Sequence, residues 1–349
     1  MGNIRLSVCI PTHNFGPFIG QTLESVAAQA TGEVEIVIVD GGSTDNTEQV
    51  VEKIKQRFPR LTYHRREKNQ GVDRDLAKAV ELAQGDYCWL MSSDDVLKPG
   101  AIDRILHEID FGHDIYLCNR TECDRSLHPV KDRSWLGREF GDHVFTLPTK
   151  SDLIAYFNAS QSLGALFSYI SSIVVSRKKW SEIKYDEVFT GSHYAHVFRL
   201  FSIIKNGGVL KYIKAGLVFC RRGNDSFSTK GAGHRMLIDL NGYELLAERL
   251  FMDADTRAAF KGVMQRQHVW FLLAGVRNDV DDIKVWNELQ TKLIAFNYPR
   301  TILQVARVFG SSKLLIKSGR YLKRIEREIR IFMRRAAGKN SVLPRGSEP

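Results

Sequence analysis

The sequence predicts an α/β fold: an open, largely parallel, doubly wound sheet followed by a C-terminal helical extension. Three observations predict it. Short apolar runs rich in β-formers alternate with helical patterns from the first residues onward, the signature of βαβ units. Two of those runs end in acids, Asp40 and Asp94. Beyond residue 235 the alternation stops and only helical spacing remains.

Each early element follows from its own pattern. Leu6 to Ile10 is a continuous apolar run closed by Pro11, which reads as a buried strand. Phe18, Ile19, Leu23, Val26 and Ala27 then recur at helical spacing. Val34 to Asp40 is a second buried strand, Gly41 to Asn46 a turn, Thr47 to Phe58 a helix, and Leu61 to Tyr63 a third strand. Tyr87 to Met91 is a further apolar strand. It runs into Ser92, Ser93, Asp94 and Asp95, and Pro99-Gly100 closes the segment. In a parallel sheet the acid-bearing strand ends share one edge, where open α/β folds bind ligands. Hard carboxylate oxygens at Asp94 and Asp95 suit Mg²⁺ or Mn²⁺, and through the metal a substrate diphosphate. An Asp-rich turn capping the following helix is the plain alternative. Asp40 at its strand end is placed to accept hydrogen bonds from a ribose or base, or else to act as a turn residue. No GxGxxG follows the first strand, which argues against a dinucleotide cofactor.

The bulk properties exclude several classes. The chain has 349 residues, 43% hydrophobic and 26% charged, with net charge +10. Lys313 to Pro349 holds eleven Lys and Arg against three Glu, so most of that charge belongs to the tail. The body is therefore not expected to bind nucleic acid. Five scattered cysteines without a CxxC pair suggest reduced thiols rather than a disulfide framework or zinc site. No signal peptide and no apolar span of about 20 residues is apparent. Cytoplasmic placement is expected.

Later segments are less regular. Asp114 to Cys118 is a strand, and His128 to Trp135 reads as a loop over the site. Leu153 to Tyr156 and Leu163 to Tyr169 read as helical, and Ile170 to Val175 and Leu217 to Cys220 as strands. A helix opens near His196. The Arg221-Arg222 pair precedes a Gly/Asn/Ser loop, and guanidinium forks match phosphate oxygens, which makes Arg222 a candidate for the diphosphate. Met236 to Ala259, Phe260 to Val276 and Trp286 to Phe296 read as three packing helices. From Ser312 to Ala337 apolar residues alternate with Lys and Arg at helical spacing, a basic amphipathic helix suited to an anionic membrane surface. The expected organisation is a catalytic domain over 1–235, a helical extension over 236–311, the membrane-surface helix over 312–337 and a disordered tail over 338–349.

Five motifs in order, Val8 to Asn14, Val39 to Thr47, Asn69-Gln70-Gly71, Gly85 to Tyr87, and Ser93 to Asp95 with Pro99, resemble the inverting glycosyltransferases of family 2, which have the GT-A fold. Shorter stretches, among them Phe167 to Ser172, Tyr194 to Phe198 and Arg222 to Phe227, are similar to the abequosyltransferase branch. The resemblance implies a nucleotide-sugar pocket lined by Pro11, Asn14, Asp40, Asp45, Arg74, Ser93, Asp94 and Arg222, with the metal on Asp94 and Asp95. It implies transfer of a dideoxyhexose from a CDP-sugar to a lipid-linked intermediate of O-antigen assembly, at the inner membrane face. Two departures from the family stand out. Ser92 occupies the first position of the usual Asp-x-Asp, and Ser192-His193 stands where a Glu-Asp pair usually supplies the base. Histidine suits a general base, so His196 and His193 are the candidates, with Asp186 and Glu187 behind them. The rival functions are a sugar-phosphate nucleotidyltransferase and a non-catalytic sugar-nucleotide-binding protein.

Overall fold

A computed structural model describes residues 3–224 and 231–311. Contacts divide the chain into two compact units, residues 1–229 with 235–267, and residues 230–234 with 268–349. The first unit is built on a ten-stranded mixed sheet. Strands β1 (Leu6–Thr12), β2 (Val34–Asp40), β3 (Leu61–Arg65) and β4 (Tyr87–Leu90) are mutually parallel, in the order β3-β2-β1-β4. The intervening helices are α1 (Gly16–Ala27), α2 (Thr47–Lys55) and α3 (Val72–Leu82). Every residue of β1 and β2 is buried. That is why these strands read as unbroken apolar runs: helices cover both faces of a parallel sheet.

Past β4 the sheet changes character. Strand β5 (Val96–Leu97) and helix α4 (Ala101–Glu108) precede β6 (Ile115–Cys123), and β7 (Pro129–Arg133) and β8 (His143–Thr146) follow. After α5 (Lys150–Ala159), β9 (Ile173–Ser176) inserts antiparallel between β4 and β6. Helices α6 (Arg177–Glu182) and α7 (Ala195–Lys205) then lead to β10 (Val209–Arg221), which pairs parallel with β6 and antiparallel with β5 and β8. The expected loop over 128–135 is thus β7, an exposed strand whose polar surface hides the pairing. The stretch 163–166 is a short 3₁₀ turn rather than part of a longer helix.

The C-terminal helices also depart from the expected boundaries. Where two helices were expected over 236–276 there are three: α8 (Gly231–Leu250), α9 (Ala254–Gln267) and α10 (Trp270–Asp279). The first break falls at 251–253, where the Asp253 carboxylate accepts from Thr256 N–H at 2.9 Å and caps α9. In the first unit, Phe157 of α5 meets Phe201, Phe251 and Phe260 at ring distances of 5.8, 5.4 and 5.3 Å, so α9 closes an aromatic core over α5 and α7. The second unit contains α10, α11 (Ile283–Ala295) and α12 (Arg300–Gly310), with Trp286, Leu289, Leu293 and Leu303 buried. All five cysteines are buried and free. Among the described residues no helix is long and apolar enough to cross a membrane. The basic helix expected over 312–337 and the tail beyond it lie outside the described residues.

Candidate functional site

Parallel pairing places the ends of β1, β2 and β4 on one edge: Thr12 stands opposite Asp40, and Cys9 opposite Leu90. Three clusters of side chains are built there.

The first cluster joins the loops after β1 and β2. Asn14 adopts φ +59, in the left-handed region that Asn tolerates better than most residues. Its Oδ1 accepts from Thr44 N–H at 2.7 Å, and its own N–H donates to Ser43 Oγ at 2.8 Å. Asp45 accepts from Gly16 N–H at 2.9 Å and Thr47 N–H at 3.0 Å. Burial raises its pKa, but the bonds from Thr47 and Gly16 outweigh that and hold it below the ordinary value. Asp40 is fully buried and accepts from Ser43 N–H (2.8 Å), Ser43 Oγ (2.7 Å) and Tyr63 OH (2.6 Å). Pro11 is buried within β1. Pro11, Asn14, Asp40 and Asp45 are therefore brought together, and the two carboxylates fasten the loops that form the edge. The carboxylate beside Gly41 comes from α3: a Cβ at Gly41 would meet Asp75 Oδ2 at 2.8 Å and Asn69 Oδ1 at 3.4 Å. Asp75 is buried, which raises its pKa, and Arg66 Nε opposes this by donating to it at 2.6 Å.

The second cluster is the acidic end of β4. Asp95 is buried. Its Oδ2 accepts from Tyr169 OH and Ser171 Oγ, each at 2.6 Å, and its Oδ1 from Arg221 N–H at 3.2 Å. Burial first, and the neighbouring Asp94 charge second, push its pKa up to about 7. Asp94 is half-buried; Ser92 Oγ donates to its Oδ1, and Asn224 Nδ2 donates to its Oδ2 at 2.6 Å. Its pKa is raised by burial, against the bonds from Ser92 and Asn224. Ser93 is buried. Arg222 is exposed and lies 3.8 Å from Glu122. The arginine that reaches the acidic edge is its neighbour Arg221, whose Nε donates to the Asp94 carbonyl at 3.1 Å and whose Nη2 donates to Gln21 at 2.6 Å.

Of the two adjacent acids, Asp94 is the one open to a metal, because Asp95 is buried with a main-chain donor on one oxygen, whereas Asp94 is half-buried and bonded by the side chains of Ser92 and Asn224. Among the described residues no three His, Cys, Asp or Glu side chains gather as a metal site. One half-buried carboxylate ringed by rotatable donors still fits Mg²⁺ or Mn²⁺, since such ions take one or two carboxylates and complete their shell with substrate phosphates and water.

The third cluster is the turn before α7. Asp73 of α3, buried, accepts from Gly191 N–H (3.0 Å), His193 N–H (2.9 Å) and Ala195 N–H (3.2 Å). This holds His193 at φ +67, in the left-handed region that few non-glycine residues adopt. Tyr194 OH donates to Asp239 of α8 and anchors the turn from its other side. His196 is 7% exposed, with Nε2 bonded to the Phe167 carbonyl at 2.9 Å, and burial lowers its pKa. Asp186 caps its own turn, accepting from Val188 N–H at 3.1 Å, and lies 3.4 Å from Arg249. Arg74 pairs with Glu187 rather than with either acidic strand end. Asp73, Asp75, Arg221 and Asn224 are the partners that sequence reasoning did not single out. The alternation Asp73-x-Asp75 at a helix start was the available signal for the first two.

The family model for glycosyl transferase family 2 matches residues 7–177. The chain is 33% identical to the abequosyltransferase RfbV of Salmonella typhimurium over 92% of its own length and 99% of that protein. Among solved structures it is similar to TarS of S. aureus bound to UDP-GlcNAc, with TM-score 0.61 at 16% identity, covering 91% of this chain and 92% of that one. It is also similar to the mannosyltransferase PcManGT of Pyrobaculum calidifontis bound to GDP-Man and Mn²⁺, with TM-score 0.50 at 15% identity over 89% and 88% of the two chains. These likenesses bear out the GT-A fold.

Proposed function

This chain belongs to glycosyl transferase family 2 and is a glycosyltransferase, and we propose that it moves a deoxyhexose from a CDP-linked donor to a lipid-linked intermediate of O-antigen assembly, with inversion at the anomeric carbon. The observation that carries the reading is the acidic edge. Asp94 is a half-buried carboxylate at the carboxyl end of a parallel strand, and the donors it takes from other residues, Ser92 and Asn224, are side chains that can rotate away. The likeness to an abequosyltransferase over nearly the whole of both chains supports the sugar class.

Each residue then has a physical task. The loops fastened by Asp40, Asp45 and Asn14 shape the nucleotide pocket, and Asp75 and Asn69 supply its acceptor groups beside Gly41. Asp94 would hold Mg²⁺ or Mn²⁺, which supplies positive charge against the departing diphosphate. Arg221 fixes the backbone of that edge. His193 takes the proton of the acceptor hydroxyl as it attacks opposite the leaving group. An imidazole is suited to that transfer, and His196 is the weaker candidate because it is buried with Nε2 held against the Phe167 carbonyl. The basic residues of 312–337 would hold the enzyme peripherally at the inner membrane face, where a lipid-linked acceptor resides.

The test is transfer by the full chain from CDP-, UDP- and GDP-deoxyhexoses to lipid-linked oligosaccharide on anionic vesicles. Released nucleoside diphosphate and the product's anomeric configuration are both read. The expected result is CDP release with inversion, lost in Asp94→Ala, and loss of vesicle co-sedimentation when 312–349 is removed. Wild type and Asp94→Ala releasing nucleotide equally would sink the enzymatic role of this edge.

A further inference from the structure

A cavity of about 550 Å³ has none of Asp40, Asp94 and Asp95 in its lining. Helix α3 contributes Arg74, Ala77, Lys78 and Glu81, one helical face, while Asp73, Leu76 and Val80 on its other side are buried. The facing wall comes from α6, the segment 183–187 and α7. The volume suits a small ligand of one or two sugar rings.

The charge of this cavity is unbalanced. Five cations line it, Arg66, Arg74, Lys78, Lys184 and Arg199, against two carboxylates, Glu81 and Glu187. Three of the cations have partners: Arg66 with Asp75 at 2.6 Å, Arg74 with Glu187, and Lys78 with Glu81 at 2.6 Å. Lys184 and Arg199 have no ion-pair partner among the described residues. Arg199 lies between two rings, 4.9 Å from the Trp180 centroid and 5.5 Å from that of Tyr185, and its Nε is buried without a hydrogen-bond partner. Trp180 is 3% exposed, and its indole N–H likewise lacks an acceptor among the described residues. Burial lowers the pKa of Arg199, the response of a charge that the protein leaves uncompensated. An unpaired lysine and an arginine without an ion-pair partner, in a cavity lined by five cations and two carboxylates, call for an anionic ligand.

The walls narrow its identity. Guanidinium and indole donors around a basic cavity match phosphate oxygens. Half-buried Tyr185 and Ile183 add apolar surface of the kind sugar rings pack against. The cavity also touches the acceptor turn: Glu187, in its wall, accepts from Thr190 Oγ1 at 3.0 Å, and Thr190 opens the turn that Asp73 holds through Gly191 and His193. We infer that this cavity binds a glycosyl diphosphate, the phosphate-bearing reducing end of the acceptor, at a site separate from the donor diphosphate at Asp94. The carrier of that group rests on the transferase function proposed above; the anion site itself does not.

The experiment uses the full chain saturated with nucleoside diphosphate and Mg²⁺, so that the donor edge is filled. Inorganic pyrophosphate and a farnesyl-diphosphate-linked sugar are titrated in, with tryptophan fluorescence and calorimetry as readouts. Both probes are expected to bind, and Arg199→Ala and Lys184→Ala are each expected to weaken them roughly tenfold or more while nucleotide affinity stays unchanged. Lys184 is exposed, so its variant keeps the test intact if Arg199→Ala fails to fold. Displacement of pyrophosphate by nucleoside diphosphate, or equal affinities in wild type and both variants, overturns the site. Pyrophosphate binding without binding of the glycosyl diphosphate overturns the acceptor assignment. Loss of nucleotide binding at the Asp94 edge would instead count against the transferase reading, and is measured separately in the same titration.

Discussion

The loops after β2 and β4 both begin with an acid at a strand end, yet they use it differently. After β2, Asp40 and Asp45 are each fixed by at least one backbone N–H and belong to the scaffold. After β4, Asp95 is fixed in the same manner by Arg221 N–H, while the other residues that donate to Asp94, Ser92 and Asn224, do so through side chains. The number and kind of donors decide the role. A carboxylate bonded to main-chain donors cannot leave them without unfolding the loop, whereas one bonded to a serine hydroxyl and an asparagine amide can exchange those partners for a ligand.

Three substitutions test this contrast. Asp94→Asn is expected to lower the transfer rate by about a hundredfold or more, since it removes the one carboxylate available to a divalent ion, while the urea midpoint stays near that of wild type. A midpoint drop comparable to the activity loss would make Asp94 a scaffold residue like its neighbours. Asp40→Ala should do the reverse, costing about 3 kcal/mol of stability because Ser43 N–H and the Tyr63 hydroxyl lose their buried acceptor. Urea unfolding of the variant at unchanged slope reads that cost. The third effect concerns pH. Asp95 titrates at about 7 in the folded chain, against about 3.9 unfolded. The folded state keeps a proton that the unfolded state has released, so this group makes stability fall as pH rises from about 4 to about 7. Asp95→Asn should flatten that dependence, seen by comparing urea midpoints at pH 5 and pH 8. An unchanged slope would mean that another group sets it.

The contrast also marks what the sequence could and could not say. Strand ends, their shared edge and the acids on them were legible, because fully buried parallel strands leave unbroken apolar runs such as Val34 to Val39. Which acid remains open was not. Besides the local Ser92, the partners that distinguish Asp94 from Asp95 are Tyr169, Ser171, Arg221 and Asn224, all at least 74 residues away in the chain. Likewise His193 and His196 are equivalent as letters, and the Phe167 carbonyl, arriving from a 3₁₀ turn that the pattern suggested was helix, separates them. Arg222 was the candidate of the Arg221-Arg222 pair, yet Arg221, the last residue of β10, is buried and Arg222 just past it is exposed. Break points in the helical third were missed because a local Asp253 cap interrupts a periodicity that otherwise continues.

The placement of β10 beside β6, with β9 inserted between β6 and β4, has a consequence for how the enzyme comes into being. During synthesis the Asp94–Asp95 pair emerges early, but Tyr169 and Ser171 arrive just ahead of β9, and Arg221 and Asn224 only at the end of β10. The pocket is therefore a late product of folding, assembled from contacts of long sequence separation that form slowly. A nascent chain ending at residue 177 would already contain the strand-end motifs, yet its Asp95 would lack the Arg221 N–H and its Asp94 the Asn224 amide. The acidic edge thus reaches its full set of contacts only once the chain extends through residue 224.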